Sequence, residues 1–276
     1  MPELSGVRVG RLFLERCAWG GYGVVHSVFD RVFNLRAGGL IFSVTALGVG
    51  GGARYLNTAA PTLRHLELFP GESCAFDPAG VTVGGTRATA AAAALWKSPV
   101  NAGDRGTLDR GTAEAFRAAL ERMRPRAGLH TGREPSLMAL LAKTETVPRG
   151  VAGLLGLGPG LTPAGDDILL GYLAVMNHFG QDEAQNSALR REILRGLHRT
   201  VDLSAQALRD GVDGEYCEAV GDVLASLLRG GPIEPALSAL LEIGASSGGD
   251  MAAGMRGAME RILDDGAGNG PEEGNF

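Results

Sequence analysis

Gly156-Leu157-Gly158-Pro159-Gly160-Leu161-Thr162-Pro163-Ala164-Gly165-Asp166-Asp167 runs straight into the apolar stretch ILLGYLAVM over 168–176. This is a glycine-rich turn that opens a long helix. Thr162 suits the N-cap and Pro163 the first helical position. Asp166 and Asp167 then sit at the positive end of the helix dipole. Outward from this segment, 166–179, 185–209, 215–229, 233–243 and 250–263 carry apolar residues at helical spacing. Gly180, Gly211, Gly230-Gly231-Pro232 and Gly244 punctuate them. Upstream, Thr112 precedes a helix to about Met123 with Ala113, Phe116, Ala119 and Leu120 on one face, ended by Pro125. Pro135 to Lys143 reads as another helix, and Ser98 to Arg110 as a polar linker or exposed loop.

The first 100 or so residues read differently. Val24 to Phe33 alternates and is β-branched and aromatic. Leu40 to Leu47 is a short apolar run between glycine clusters, and Val81 to Val83 precedes Gly84-Gly85. Short apolar runs with glycine punctuation favour strands. The Ala-rich run Ala88 to Trp96 predicts a short helix. The expected fold class is α+β. A β-rich N-terminal domain (1–100) precedes a mainly helical domain (111–263), and an acidic, Gly-rich tail (264–276) is expected to be disordered.

Composition narrows the function. The chain has 276 residues, 45% hydrophobic and 21% charged, as in an ordinary globular protein. A net charge of −5 gives no electrostatic case for nucleic-acid binding. Cys17, Cys74 and Cys217 are scattered, without the spacing of a disulfide framework or zinc site. The N-terminus carries charges through its apolar part, unlike a signal peptide, and no run approaches a membrane span, so a cytoplasmic protein is expected. His26, His65, His130, His178 and His198 show no metal-ligand spacing, and no Ser-His-Asp or Cys-His arrangement is recognisable. His178 is placed as the C-terminal cation of its apolar helix, and Cys217 as a packed thiol on a helical face.

A second segment echoes the first. Gly244-Ala245-Ser246-Ser247-Gly248-Gly249-Asp250 also opens an apolar helix, and a gap-free alignment pairs Thr162 with Ser246, Gly165 with Gly249 and Asp166 with Asp250. Gly171 and Gly254 allow close helix packing. Two such helix starts, with bare glycine amides, suit an anion such as a phosphate. The candidate catalytic residues are Asp166, Asp167 and Asp250. The candidate binding residues are Gly158, Gly160, Thr162, Gly165, Ser246, Ser247, Gly248 and Gly249. Asp166 and Asp167 are also the candidate ligands for a divalent cation such as Mg2+, although no cofactor is demanded by the pattern. A third stretch adds Thr200 and Ser204 as candidate binding residues, part of a hydroxyl and carboxylate pair near the site; alternatively Thr200 or Asp202 caps a helix, with Ser204 one turn on and Gly214-Glu215 beyond.

Together these stretches resemble the AllH-like family, whose namesake is a subunit of bacterial oxamate carbamoyltransferase in allantoin breakdown. The family pattern G-x-G-P-G-L-T-P-S-G-D-D is matched by 156–167, with Ala164 in place of Ser. An S-S-G-x-D element is matched by Ser246 to Asp250, and T-x-x-x-S before G-E by Thr200, Ser204, Gly214 and Glu215. His26-Ser27-Val28-Phe29 and Asn34-Leu35 are similar to its H-S-x-F…N-L, which makes His26 a further candidate. The resemblance implies carbamoyl transfer between carbamoyl phosphate and oxamate, giving oxalurate and phosphate, beside FdrA-like and AllG-like partner subunits. Ala164 and Ala245 depart from the pattern and leave room for a different substrate. The alternatives are a non-catalytic ligand-binding or scaffold subunit, and an independent Mg-dependent phosphotransferase using Asp166 and Asp167.

Overall fold

The computed structural model of the chain describes residues 3–126, 128 and 132–268. The chain forms two compact units, one of residues 1–98 with 216–218 and one of 99–215 with 219–276.

The first unit holds strands β1 (Glu3–Val9), β2 (Gly21–Val28), β3 (Val32–Ala37), β4 (Leu40–Thr45), β5 (Tyr55–Thr58), β6 (Ser73–Asp77), β7 (Gly80–Val83), β8 (Thr86–Thr89) and β9 (Ala94–Leu95), with helix α1 (Arg11–Trp19) after β1. The order β5-β4-β3-β2-β6-β7-β8-β1 closes on itself, because β1 also pairs antiparallel with β5 (Gly6↔Thr58, Val9↔Leu56). The result is an eight-stranded barrel, with β9 continuing beside β1. Closure removes the exposed sheet edges that open β-sheets must protect. Phe13 of α1 is buried against Phe42 and Phe76, with ring centroids 6.0 and 5.9 Å away. Phe33 and Leu35 join that core, so Asn34 between them faces the other way. Asn34 donates to Ser27 Oγ (2.9 Å) and accepts from Ser43 Oγ (2.7 Å), which satisfies a buried polar ladder across β2, β3 and β4.

Two expectations for this unit are corrected. Ala88 to Trp96 is not a helix: Ala88 lies in β8, Ala94 and Leu95 form β9, and a turn joins them. Pairing of β8 with β1 and β7 overrides the helix propensity of alanine. Glycine at position 6 permits this pairing, since a Cβ there would meet Thr89 O at 2.2 Å. The run from Val24 to Phe33 is two strands, because Phe29 N–H donates to Val32 O and turns the chain at Asp30.

The second unit is helical: α2 (Arg110–Met123), α3 (Glu134–Ala139), α4 (Val147–Leu154), α5 (Ala164–Phe179), α6 (Glu183–Gly196), α7 (Asp202–Val212), α8 (Glu218–Arg229, its first residue grouped with the barrel), α9 (Ile233–Leu241) and α10 (Ser247–Gly268). Ala113, Phe116, Ala119 and Leu120 form the buried face of α2, whose cap is Asp109. All 16 residues of α5 are buried, as expected for a helix that is apolar all round. Segment 185–209 is not one helix. It breaks at Leu197–Thr200, where Thr200 is extended and its hydroxyl turns to Asp166. The helix α4 and the barrel helix α1 were not anticipated, and α10 runs to Gly268, past the expected start of the tail; residues 269–276 lie outside the described residues, as does His130. No helix among the described residues is long and apolar enough to cross a membrane.

Candidate functional site

The site builds from a crossing of two helices. A Cβ on Gly171 of α5 would lie 1.9 Å from Met251 O of α10, and one on Gly254 of α10 would lie 2.0 Å from Ile168 O of α5. Only glycine allows backbones this close. The two starts are bridged by Thr162 Oγ1 and Ser247 Oγ, 3.0 Å apart. Thr162 is therefore not the cap of α5. Pro163 occupies that position, the helix begins at Ala164, and the Thr162 hydroxyl is spent across the crossing.

Each motif aspartate ties a loop to its helix. Asp166, 2% exposed, accepts from Gly156 N–H (2.8 Å) with one oxygen and from the Thr200 hydroxyl with the other. Asp250, also 2% exposed, accepts Gly128 N–H with both oxygens at 3.0 Å. Neither Thr200 nor Asp202 caps α7, since Val201 stands at that position. Burial raises the Asp166 pKa above the ordinary carboxylate value, opposed by Thr200, Gly156 and the nearby Ser204 hydroxyl.

Asp167 is the exception. It is 5% exposed, and its Oδ2 is buried with no hydrogen-bond partner. Burial pushes its pKa up to about 8; the Ser247 hydroxyl opposes the rise, and the charges of Asp250 and Asp166 add to it. Ser204, also buried, lies beside Asp166. Among the described residues, the charges that act on Asp167 are carboxylates.

The glycines sort into two kinds. Gly165, Gly248 and Gly249 are filled by their own chain: a Cβ on each would meet Leu154 O (2.1 Å), Leu240 O (1.9 Å) and Arg126 O (2.1 Å). They permit packing. Gly158 and Gly160 instead turn the loop before α5 with φ of 120° and 93°, and nothing stands within 4 Å of a Cβ on Gly160. Ser246 lies close to Gly128, where a Cβ would meet its hydroxyl at 2.6 Å. His26 belongs to the barrel, on β2, with Nδ1 3.1 Å from Ser27 Oγ. Gly214 makes a turn after α7 (φ 79°), and Glu215 N–H donates to Asp210 O. Cys217 precedes α8 and lies off any helical face. His178 is not a helix cation. It is fully buried, which lowers its pKa, and Nδ1 lies 2.8 Å from Asp104 O. Gly156 and Gly128, whose amides hold the two aspartates, were not among the expected site residues, although Gly156 opens the glycine-rich motif and adopts a positive φ (71°).

No group of three or more His, Cys, Asp or Glu among the described residues is arranged to hold a metal ion.

Residues 154–259 match the family model for oxamate carbamoyltransferase subunit AllH. The AllH-like segment runs from the last residue of α4 into α10. It thus contains both helix starts and each residue of the cluster except Gly128, and it leaves out the barrel with His26. No curated protein and no solved structure matches the chain.

Proposed function

We propose that this chain is one subunit of a carbamoyltransferase-type complex acting on oxamate or oxalurate and carbamoyl phosphate, or on a related small anionic substrate. The family description supports a subunit of a larger assembly. FdrA-like and AllG-like proteins are the proposed partners, and the cytoplasm the proposed location. The observation that carries the reading is the meeting of the two motif-bearing helix starts at the Thr162–Ser247 bridge, beside a carboxyl oxygen that the fold leaves unpaired. In the reaction, the oxamate nitrogen bonds to the carbamoyl carbon, the carbon–oxygen bond to phosphate breaks, and the nitrogen loses a proton. Holding two small substrates in register supplies much of the rate for such a step.

A second reading, a ligand-binding or scaffold subunit, is favoured by the full engagement of Asp166 with protein donors. Thermal-shift titration of the chain with phosphate, carbamoyl phosphate, oxamate and oxalurate tests for the site. A ligand at 100 times its Kd adds about 2.7 kcal/mol of apparent stability. Turnover by the chain assembled with its two partners separates the readings. Loss of turnover in Asp167→Asn supports the first, and unchanged turnover supports the second.

A further inference from the structure

We propose that Asp167 reads the amide end of the substrate, accepting an N–H of a primary amide or carbamoyl group, while Asp166 and Asp250 are positioning residues that anchor the loops. This inference rests on the binding site proposed above and specifies what it recognises. Three facts lead to it. First, the oxygens of Asp166 and Asp250 already accept from Gly156, Thr200 and Gly128, whereas Asp167 Oδ2 accepts from nothing. A buried acceptor without a donor costs the full desolvation of that group, so the working state must supply one.

Second, the surroundings select the donor. The described charges acting on Asp167 are Asp250 and Asp166, which repel a phosphate or carboxylate brought to this oxygen. A neutral N–H has no such cost. Third, the neighbouring hydroxyl is suited to an amide: Ser247 lies beside Asp167. A primary amide offers two donors and one acceptor, and a hydroxyl can complement either. The raised pKa of Asp167 agrees with a site that disfavours further negative charge.

Oxamate and oxalate separate the possibilities, since they differ by an amide in place of a carboxylate. Titration of the 276-residue chain should show oxamate binding at least tenfold more tightly than oxalate, because a site built for an N–H rejects the analogue that lacks it. That arm needs no variant. Above pH 8, where the Asp167 carboxyl is ionised, Asp167→Asn keeps the shape but replaces an acceptor with a donor, so the preference for oxamate should fall at least tenfold. Asp167→Ser, which removes the carboxyl altogether, should lower oxamate affinity in the same direction, with circular dichroism checking the fold of both. Oxamate binding that is unchanged in both variants overturns the role of Asp167 and leaves the site reading standing. Equal affinity for oxamate and oxalate also overturns it, with a water as the occupant of the oxygen. Tighter binding of phosphate than oxamate, lost in Asp167→Asn, makes this an anion site and overturns the amide assignment. No binding of any of the three overturns the inference and the site reading together.

Discussion

The starts of α5 and α10 are two versions of one device, and they part in the residue that follows their shared Gly-Asp. Both begin with a hydroxyl residue followed three positions later by Gly-Asp, and both aspartates accept the N–H of a distant glycine, Gly156 or Gly128. Both helices then use a glycine, at 171 or 254, to touch the other's backbone. The α5 copy continues with Asp167, and the α10 copy with Met251. The shared part is geometric: it brings two helix ends together and ties down their loops. The extra carboxyl is the chemical difference, and the fold leaves one of its oxygens without a partner. The repeated element therefore builds the frame, and the unrepeated residue carries the proposed recognition.

The largest effect should come from breaking the crossing that both copies share. Gly171→Val and Gly254→Val each force a side chain into a carbonyl at about 2 Å. Either should cost about 3 kcal/mol or more in urea denaturation, at the upper end for overpacking. A loss below about 1 kcal/mol would show that the helices can separate cheaply, contrary to this crossing. Next come the two anchors. Asp166→Ala orphans the Gly156 amide and the Thr200 hydroxyl, and Asp250→Ala orphans the Gly128 amide. Each should destabilise by about 1–3 kcal/mol, Asp166→Ala by more because it strands two donors. The reverse order would mean that the α10 start is the main support.

The third prediction isolates the residue the copies do not share. The Asp167 pKa rises from 3.8 to about 8 in the folded chain, so between those pH values the folded state keeps a proton that the unfolded state has released. This contribution to stability is present below pH 4 and is lost as pH rises toward 8. Asp167→Asn should flatten that decline, and the three pH units between 5 and 8, at about 1.4 kcal/mol each, cap its gain on wild type over that range at about 4 kcal/mol. Parallel urea midpoints for the two proteins across that range would remove Asp167 as the titrating group.

These differences also explain what could be read before the structure. The α2 face of Ala113, Phe116, Ala119 and Leu120 follows from spacing alone, because a surface helix buries one stripe. Gly171 and Gly254 were legible as packing glycines for a similar reason: each interrupts an apolar helix where alanine would serve better unless space is short. Thr162 was misread because capping is a local rule, and its hydroxyl is committed to Ser247, 85 residues away. Gly128 was invisible because its amide meets Asp250 across 122 residues. The Ala-rich run 88–96 misled because its pairing partner β1 lies at the other end of the barrel sequence. Local preferences place elements; the site depends on long-range partners that no single window contains.

The smallest effect concerns the bridge between the copies. Thr162 Oγ1 and Ser247 Oγ are 3.0 Å apart and partly buried, and Ser247 also faces Asp167. Thr162→Val keeps the shape and removes one hydroxyl, while Ser247→Ala removes the other. A neutral hydrogen bond of this kind contributes about 0.5–1.5 kcal/mol. Thr162→Val should fall in that range, and Ser247→Ala should cost more because Asp167 loses a donor as well. A double-mutant cycle reads the coupling directly. If the two losses simply add, the hydroxyls act independently, and the starts of α5 and α10 are joined by the glycine crossing alone. If they couple by about 0.5 kcal/mol or more, the bridge transmits between the copies. A ligand that engages Asp167 would then be felt at the start of α10 through Ser247.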